Sequence, residues 1–300
     1  MIGEFMQTHI IVNESCSTIR YLARQALKER WVTASVAVLI YSACVDVPPI
    51  FINLIFGSSS NINQLMSGQM HAGAGLMGAM EEVLRTTGYT TPSSSIYTLL
   101  VSGPFMFGIT LYFINMVRRN QVDYRQIFGG FSYFGRTLGL FLLLILISWA
   151  FSIPFFLLFF FGALTLNVPL LILSLLSLLL LIIPATMFSM CYFLMVDNVQ
   201  IGVVGAIRVS WNIMRGNAVK FVLLNLSFIG WFIVGGLILS VILFPFSIGG
   251  NPFLIAIGSF IGQVGIFVVM AYVLAAQVQF YDLLTGRLRL GSPSHLSGGY

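Results

Sequence analysis

Polar stretches along this chain separate six apolar runs, at roughly 32–56, 96–117, 137–161, 170–196, 219–245 and 253–281. A helix needs about 20 apolar residues to cross about 30 Å of hydrocarbon, and each run is long enough. The pattern predicts an all-α polytopic membrane protein with six transmembrane helices. Residues 1–16 and 286–300 read as flexible tails around one transmembrane domain, 17–285.

Three of the polar stretches have a helical period of their own. Before the first run, Ile19, Leu22, Ala23, Ala26, Leu27 and Trp31 form one apolar stripe, with Arg20, Arg24, Lys28 and Glu29 off it. Before the third run the stripe is Tyr124, Ile127, Phe128, Phe131, Phe134 and Leu138. Before the fifth it is Val204, Ile207, Trp211, Met214 and Ala218, with Arg208, Asn212 and Arg215 off it. Each stripe predicts an amphipathic helix lying in the membrane interface. The bundle then consists of three hairpins, each preceded by an interfacial helix on the cytoplasmic side.

Two segments echo each other. "PFMFGITLYF" (104–113) and "PATMFSMCYF" (184–193) both place Tyr and Phe eight and nine residues after a Pro, an offset of 80. Arg30 to Pro48 and Arg136 to Pro154 are each 18 residues. The reading is a threefold internal repeat whose third copy has diverged; chance echoes among abundant Phe, Leu and Pro are the alternative. Within the third copy, Asp197 and Asn198 are candidate caps for the next helix. Gly216 and Asn217 suit a left-handed helix end, and Lys220 is placed to snorkel toward headgroups.

Composition sharpens this picture. The chain is 58% hydrophobic and 8% charged, with a mean hydropathy of +0.97, against about 25% charged in soluble domains. A soluble protein is excluded. Lysines and arginines divide 13 to 1 between the two sides of the six runs, with Arg85 alone on the far side. That bias places both termini in the cytoplasm. The pI of about 9.3 then reports inner-leaflet charge, and it gives no case for nucleic acid, since no basic face interleaves with exposed aromatics in a soluble domain. The first 30 residues lack the apolar core of a cleavable signal peptide, so the first run serves as its own insertion signal. Cys16, Cys44 and Cys191 are isolated and show no disulfide or metal spacing.

Candidate chemistry is sparse. Asp46 is the one ionisable residue well inside a run, just before Pro48 and Pro49. An intramembrane acid points to proton or cation coupling; the alternative is a partner for backbone groups that the two prolines free. The outer segment 57–95 holds Met66, Met70, His71, Met77 and Met80. These are soft ligands for Cu(I), yet their helical spacing favours an amphipathic helix over the bundle. Gly73, Gly75 and Gly78 match G-x-G-x-x-G without the preceding strand that a dinucleotide site needs. His71 with Glu81 or Glu82 falls short of three metal ligands, and Ser189 lacks a neighbouring His or acid. No catalytic residue, metal or cofactor is expected. The amides Asn53, Asn115 and Asn225 either line a path for a neutral solute or cross-link helices.

"IIPATMFSMCYFLMVDNVQIGVVGAIRVSWNIMRGNAVKFVLLNLSFIGW" (182–231) resembles the core of a bacterial integral membrane family known as domain of unknown function 975. The matching residues are Ile183, Pro184, Tyr192, Asp197, Asn198, Ser210, Met214, Gly216, Ser227, Phe228, Ile229 and Trp231. "SGPFMFGITLYF" (102–113), "FGGFSYFGR" (128–136) and "QFYDLL" (279–284) look like its second span, second interfacial helix and aromatic-rich end. The likeness covers about residues 20 to 285; the glycine after the family's isoleucine-proline is Ala185 here. That family more distantly resembles the membrane domain attached to some glycerophosphodiester phosphodiesterases. The resemblance implies a bacterial cytoplasmic (inner) membrane protein with no established activity.

Two functions follow as expectations. One is a non-catalytic protein acting through anionic lipid headgroups of the cytoplasmic leaflet, a membrane-protein partner or a second copy, with Arg24, Arg208, Trp211, Arg215 and Lys220 carrying the contact. The other is a small-solute or peptide transporter with a path near Asp46, Asn53, Asn115 and Asn225.

Overall fold

A computed structural model describes residues 10–56, 92–119, 122–248 and 252–288, and the described residues are helical with no strand. The α-helices are α1 Cys16–Leu27, α2 Trp31–Val45, α3 Val47–Phe56, α4 Pro92–Arg119, α5 Phe134–Leu164 and α6 Val168–Ser177. After these come α7 Ile182–Met187, α8 Cys191–Asp197, α9 Val203–Met214, α10 Ala218–Leu226, α11 Ile229–Ile248 and α12 Pro252–Leu284. Short 3₁₀ helices, Tyr124–Tyr133 and Leu178–Leu181, precede α5 and α7. Six stretches are long and apolar enough to cross a membrane: Trp31–Pro49, Pro92–Arg119, Tyr124–Leu164, Val168–Asp197, Ala218–Leu237 and Gly265–Leu284. They are spans 1 to 6 below.

Spans 2 and 6 make the core. In their most apolar stretches 67% and 56% of residues are buried, against 6% and 11% in spans 3 and 4. Tyr112, Phe113, Met116, Phe280 and Tyr281 fill the centre with no exposed surface. Spans 3 and 4 pair through α5 and α6 and turn Leu146, Trp149, Ile153, Phe156 and Ile172 outward. Among hydrocarbon tails an apolar surface needs no protein cover, so an outward leucine there says nothing about misfolding.

α1, the 3₁₀ helix Tyr124–Tyr133 and α9 each lie back along an even-numbered span. On α1, the Arg20 carbonyl accepts the Tyr272 hydroxyl of span 6 at 3.1 Å, and Trp31, the first residue of α2, meets the Tyr272 ring edge-on. The 3₁₀ helix Tyr124–Tyr133 lies on α4: Tyr124 stacks on Tyr112 at 5.9 Å, and Asn115 donates to Gln126 at 2.9 Å. On α9, Ser210 donates to the Met187 carbonyl at 2.7 Å. Glycine sets the closest of these approaches. A β-carbon on Gly108 would overlap the Ile127 carbonyl, and one on Gly130 would overlap that of Pro104.

Two of these elements pack on the protein through a face that differs from their apolar stripe. The 3₁₀ helix repeats every three residues, so Ile127 and Gly130 face inward while Phe128, Phe131 and Phe134 face out. On α9 the buried face is Ala206, Val209, Ser210, Ile213 and Met214; of the expected stripe Val204 is exposed and only Met214 is buried. Lipid and protein interior are both apolar, so hydropathy alone does not choose the inward face.

The turn after α9 also departs from expectation. Gly216 takes the left-handed conformation, φ +77°, but Asn217 has φ −106° and is buried. Its amide donates to the carbonyls of Ile10 (2.8 Å) and Ile213 (3.0 Å), and its Oδ1 accepts from the Val12 amide at 2.9 Å. Residues 10–12 of the N-terminal segment are thus strapped across the start of span 5.

Candidate functional site

A helix C-terminus carries partial negative charge and disfavours a carboxylate. Two even-numbered spans nevertheless finish on acids: Asp197 is the last residue of α8, and Asp282 lies in the last turn of α12. Arg118, at the end of span 2, reconciles them. Its guanidinium reaches Asp197 through Nη1 at 2.6 Å and Asp282 through Nε at 2.9 Å and Nη2 at 2.5 Å. The Tyr281 hydroxyl donates to Asp197 Oδ2 at 2.9 Å, and Arg118 stacks over the Tyr281 ring. Arg287 adds a second cation at 3.2 Å from Asp197. Gly286, φ +67°, turns the chain so that the amides of Arg287 and Leu288 return to the Asp282 carbonyl. Arg118, Asp197 and Asp282 are largely shielded, with side-chain exposures of 17%, 11% and 6%. Two acids thus meet two cations, so the cluster is neutral in sum and clamps the ends of spans 2, 4 and 6 together.

Sequence reading missed this cluster. Arg118 counted only toward orientation and Asp197, with Asn198, only as a cap for the next helix, whereas α9 starts after Gly202 with no side-chain cap and Asn198 Oδ1 accepts the Gln200 amide in the loop before it. An acid at the C-terminal end of an apolar helix was the available signal.

The second feature is a shallow groove of about 340 Å³ between α9 and span 4, lined by Phe188, Val204, Ile207, Arg208 and Trp211. Phe188 and Trp211 face each other at 5.7 Å. Arg208 and Arg215 are exposed, and neither has an acidic partner among the described residues.

The residues singled out for lipid or partner contact therefore separate. Arg208 and Trp211 share the groove, and Arg215 lies two turns beyond Arg208. Lys220 turns to the protein instead, donating to the Val12 carbonyl at 2.8 Å, which corrects the snorkelling expectation. Arg24 is exposed on α1, away from the groove.

Among the described residues, Asp46, Asn115 and Asn225 of the proposed path are not hydrogen-bonded to one another. Asp46 ends α2, is exposed, and accepts the Ser42 hydroxyl from its own helix turn; it does not lie inside the bundle or serve backbone groups near the prolines. Asn115 is engaged by Gln126. Asn225 donates to the Phe221 carbonyl and accepts from Gln277 at 3.2 Å. Asn53 lies on α3, but its side chain is outside the described residues, as is segment 57–91 with Met66, Met70, His71, Met77 and Met80.

Compared with known proteins, residues 13–288 match the family described as "Protein of unknown function (DUF975)". No curated protein and no solved structure matches the chain.

Proposed function

Since the chain belongs to the DUF975 family of proteins of unknown function, we propose from its own chemistry that it is a non-catalytic membrane protein that engages anionic lipid headgroups. It would act as an accessory, scaffold or envelope-homeostasis factor in the bacterial cytoplasmic membrane, with both termini in the cytoplasm. One observation carries this reading. The acids Asp197 and Asp282 are consumed by Arg118 and Arg287, while Arg24, Arg208 and Arg215 stand exposed without acidic partners among the described residues. Each basic group near an anionic leaflet contributes about 1 kcal/mol of attraction. A transport path draws no support from Asn115 and Asn225, whose amides are taken up by Gln126 and Gln277.

Native mass spectrometry of the detergent-purified protein tests the reading. Titration with phosphatidylglycerol should give more bound lipid than titration with phosphatidylcholine, and the Arg24→Gln, Arg208→Gln, Arg215→Gln triple variant should lose that excess. Equal retention of the two lipids by the unaltered protein overturns it, as does an undiminished preference in a folded triple variant.

A further inference from the structure

The groove beside α9 has a counterpart that is closed. Phe188 stands 80 residues after Gly108, Ile207 stands 80 after Ile127, and Ser210 stands 80 after Gly130. In the earlier set the two glycines let the backbones touch, and a single added β-carbon would overlap a carbonyl at either glycine. In the later set a phenylalanine occupies the glycine's position. Its ring meets Trp211 at 5.7 Å and lines the groove.

Arg208 sits at this groove in an environment that does not suit an isolated cation. Its neighbours on α9 fix its level: the Ala206 carbonyl faces the Cys191 thiol, and Ser210 bonds to Met187. These partners lie six to ten residues before Asp197 along span 4, on either side of the turn at 188–190. The guanidinium is exposed on an outward surface whose other groove residues are Phe188, Val204, Ile207 and Trp211. A cation set among apolar side chains is best complemented when an anion meets it. None among the described residues does so.

We propose that this groove is a binding site for one anionic phospholipid, its phosphate on Arg208 and an acyl chain laid along Phe188, Ile207 and Trp211. The proposal rests on the lipid-engaging function above and names its site. It commits to a lipid over a free phosphate ion because four of the five lining side chains are apolar and offer a soluble anion nothing. The volume suits part of one chain, at the small end of ligand pockets, which start near 300 Å³.

Trp211 reports on the site directly. In a variant carrying Trp31→Phe, Trp149→Phe and Trp231→Phe, fluorescence in detergent is followed during addition of phosphatidylglycerol brominated on its acyl chains. Quenching should saturate at one lipid per protein, with the midpoint raised at least tenfold by Arg208→Gln and unchanged by Arg119→Gln, at an exposed arginine that ends α4. Unbrominated short-chain phosphatidylglycerol should reverse it and glycerol phosphate should not. Quenching that never saturates, an unmoved midpoint in Arg208→Gln, or reversal by glycerol phosphate overturns the site. A photoactivatable phosphatidylglycerol applied to the unaltered protein gives a second measurement: adducts within 185–212 support the site, and adducts only elsewhere overturn it. If the site fails while the native-spectrometry preference persists and depends on Arg24, the lipid-engaging function stands without this groove.

Discussion

Gly108 and Ile127 meet backbone to backbone, so closely that the carbonyl of Ile127 occupies the space a β-carbon on Gly108 would need. Gly130 repeats the arrangement with Pro104 one turn along the same contact. The atoms on both sides are main chain and have no rotamer by which to yield. Gly108→Ala or Gly130→Ala should therefore push the 3₁₀ helix off α4 and cost about 1–3 kcal/mol or more, as overpacking does. Gly230→Ala is the control, because no atom lies within 4 Å of its added carbon. Thermal unfolding in detergent should show a lower transition for the first two and an unchanged or slightly higher one for the third, since alanine favours helix by about 1 kcal/mol.

Arg118→Gln leaves Asp197 and Asp282 facing each other with little solvent. Removing one partner of a buried ionic group typically costs about 3–5 kcal/mol, because the remaining charge is stranded. Neutralising all three, as Arg118→Gln with Asp197→Asn and Asp282→Asn, should recover much of that loss. Arg287→Ala, on a partner 46% exposed, should cost under about 1 kcal/mol. Equal unfolding temperatures for the single and triple variants would count against the clamp.

Six spans were readable from hydropathy because each is a long apolar run, a property of the local sequence alone. The clamp was not, because Arg118, Asp197 and Asp282 are brought together only by folding across 164 residues. The groove was half legible. Arg208 and Trp211 stood out as polar and aromatic features of one stretch, but the groove they share with Phe188 is made only when α9 packs back along span 4. The inward faces of α9 and the 3₁₀ helix escaped for another reason: one has apolar residues on both faces, and the other repeats every three residues where 3.6 was assumed.

Asn217→Ala should free residues 10–12, since it removes one accepted and two donated hydrogen bonds. At about 1 kcal/mol each, the loss is about 1–3 kcal/mol, concentrated on the strap. Hydrogen exchange at the Val12 amide should accelerate at least tenfold while amides in span 6 stay protected. Lys220→Met removes one bond and should give a smaller acceleration at the same place.

Asn225→Leu tests whether this amide cross-links helices. Gln277 would lose its acceptor, and interhelical bonds in membranes average about 0.6 kcal/mol, with a maximum near 1.7. Gln277→Leu alone should cost a similar amount, and the double variant should cost less than the sum of the two. Strict additivity in unfolding measurements would show that the two side chains act independently.

The hydroxyl of Tyr272 on the carbonyl of Arg20 joins the last span to the first helix. During synthesis α1 leaves the ribosome before any of these six spans, yet the surface it rests on belongs to the sixth. Docking of α1 is consequently a late event in assembly, postponed until span 6 has entered the bilayer. A nascent chain halted before residue 272 would hold Arg20 and Arg24 unanchored at the membrane surface, so the placement of this first helix reports whether translation of the bundle has finished.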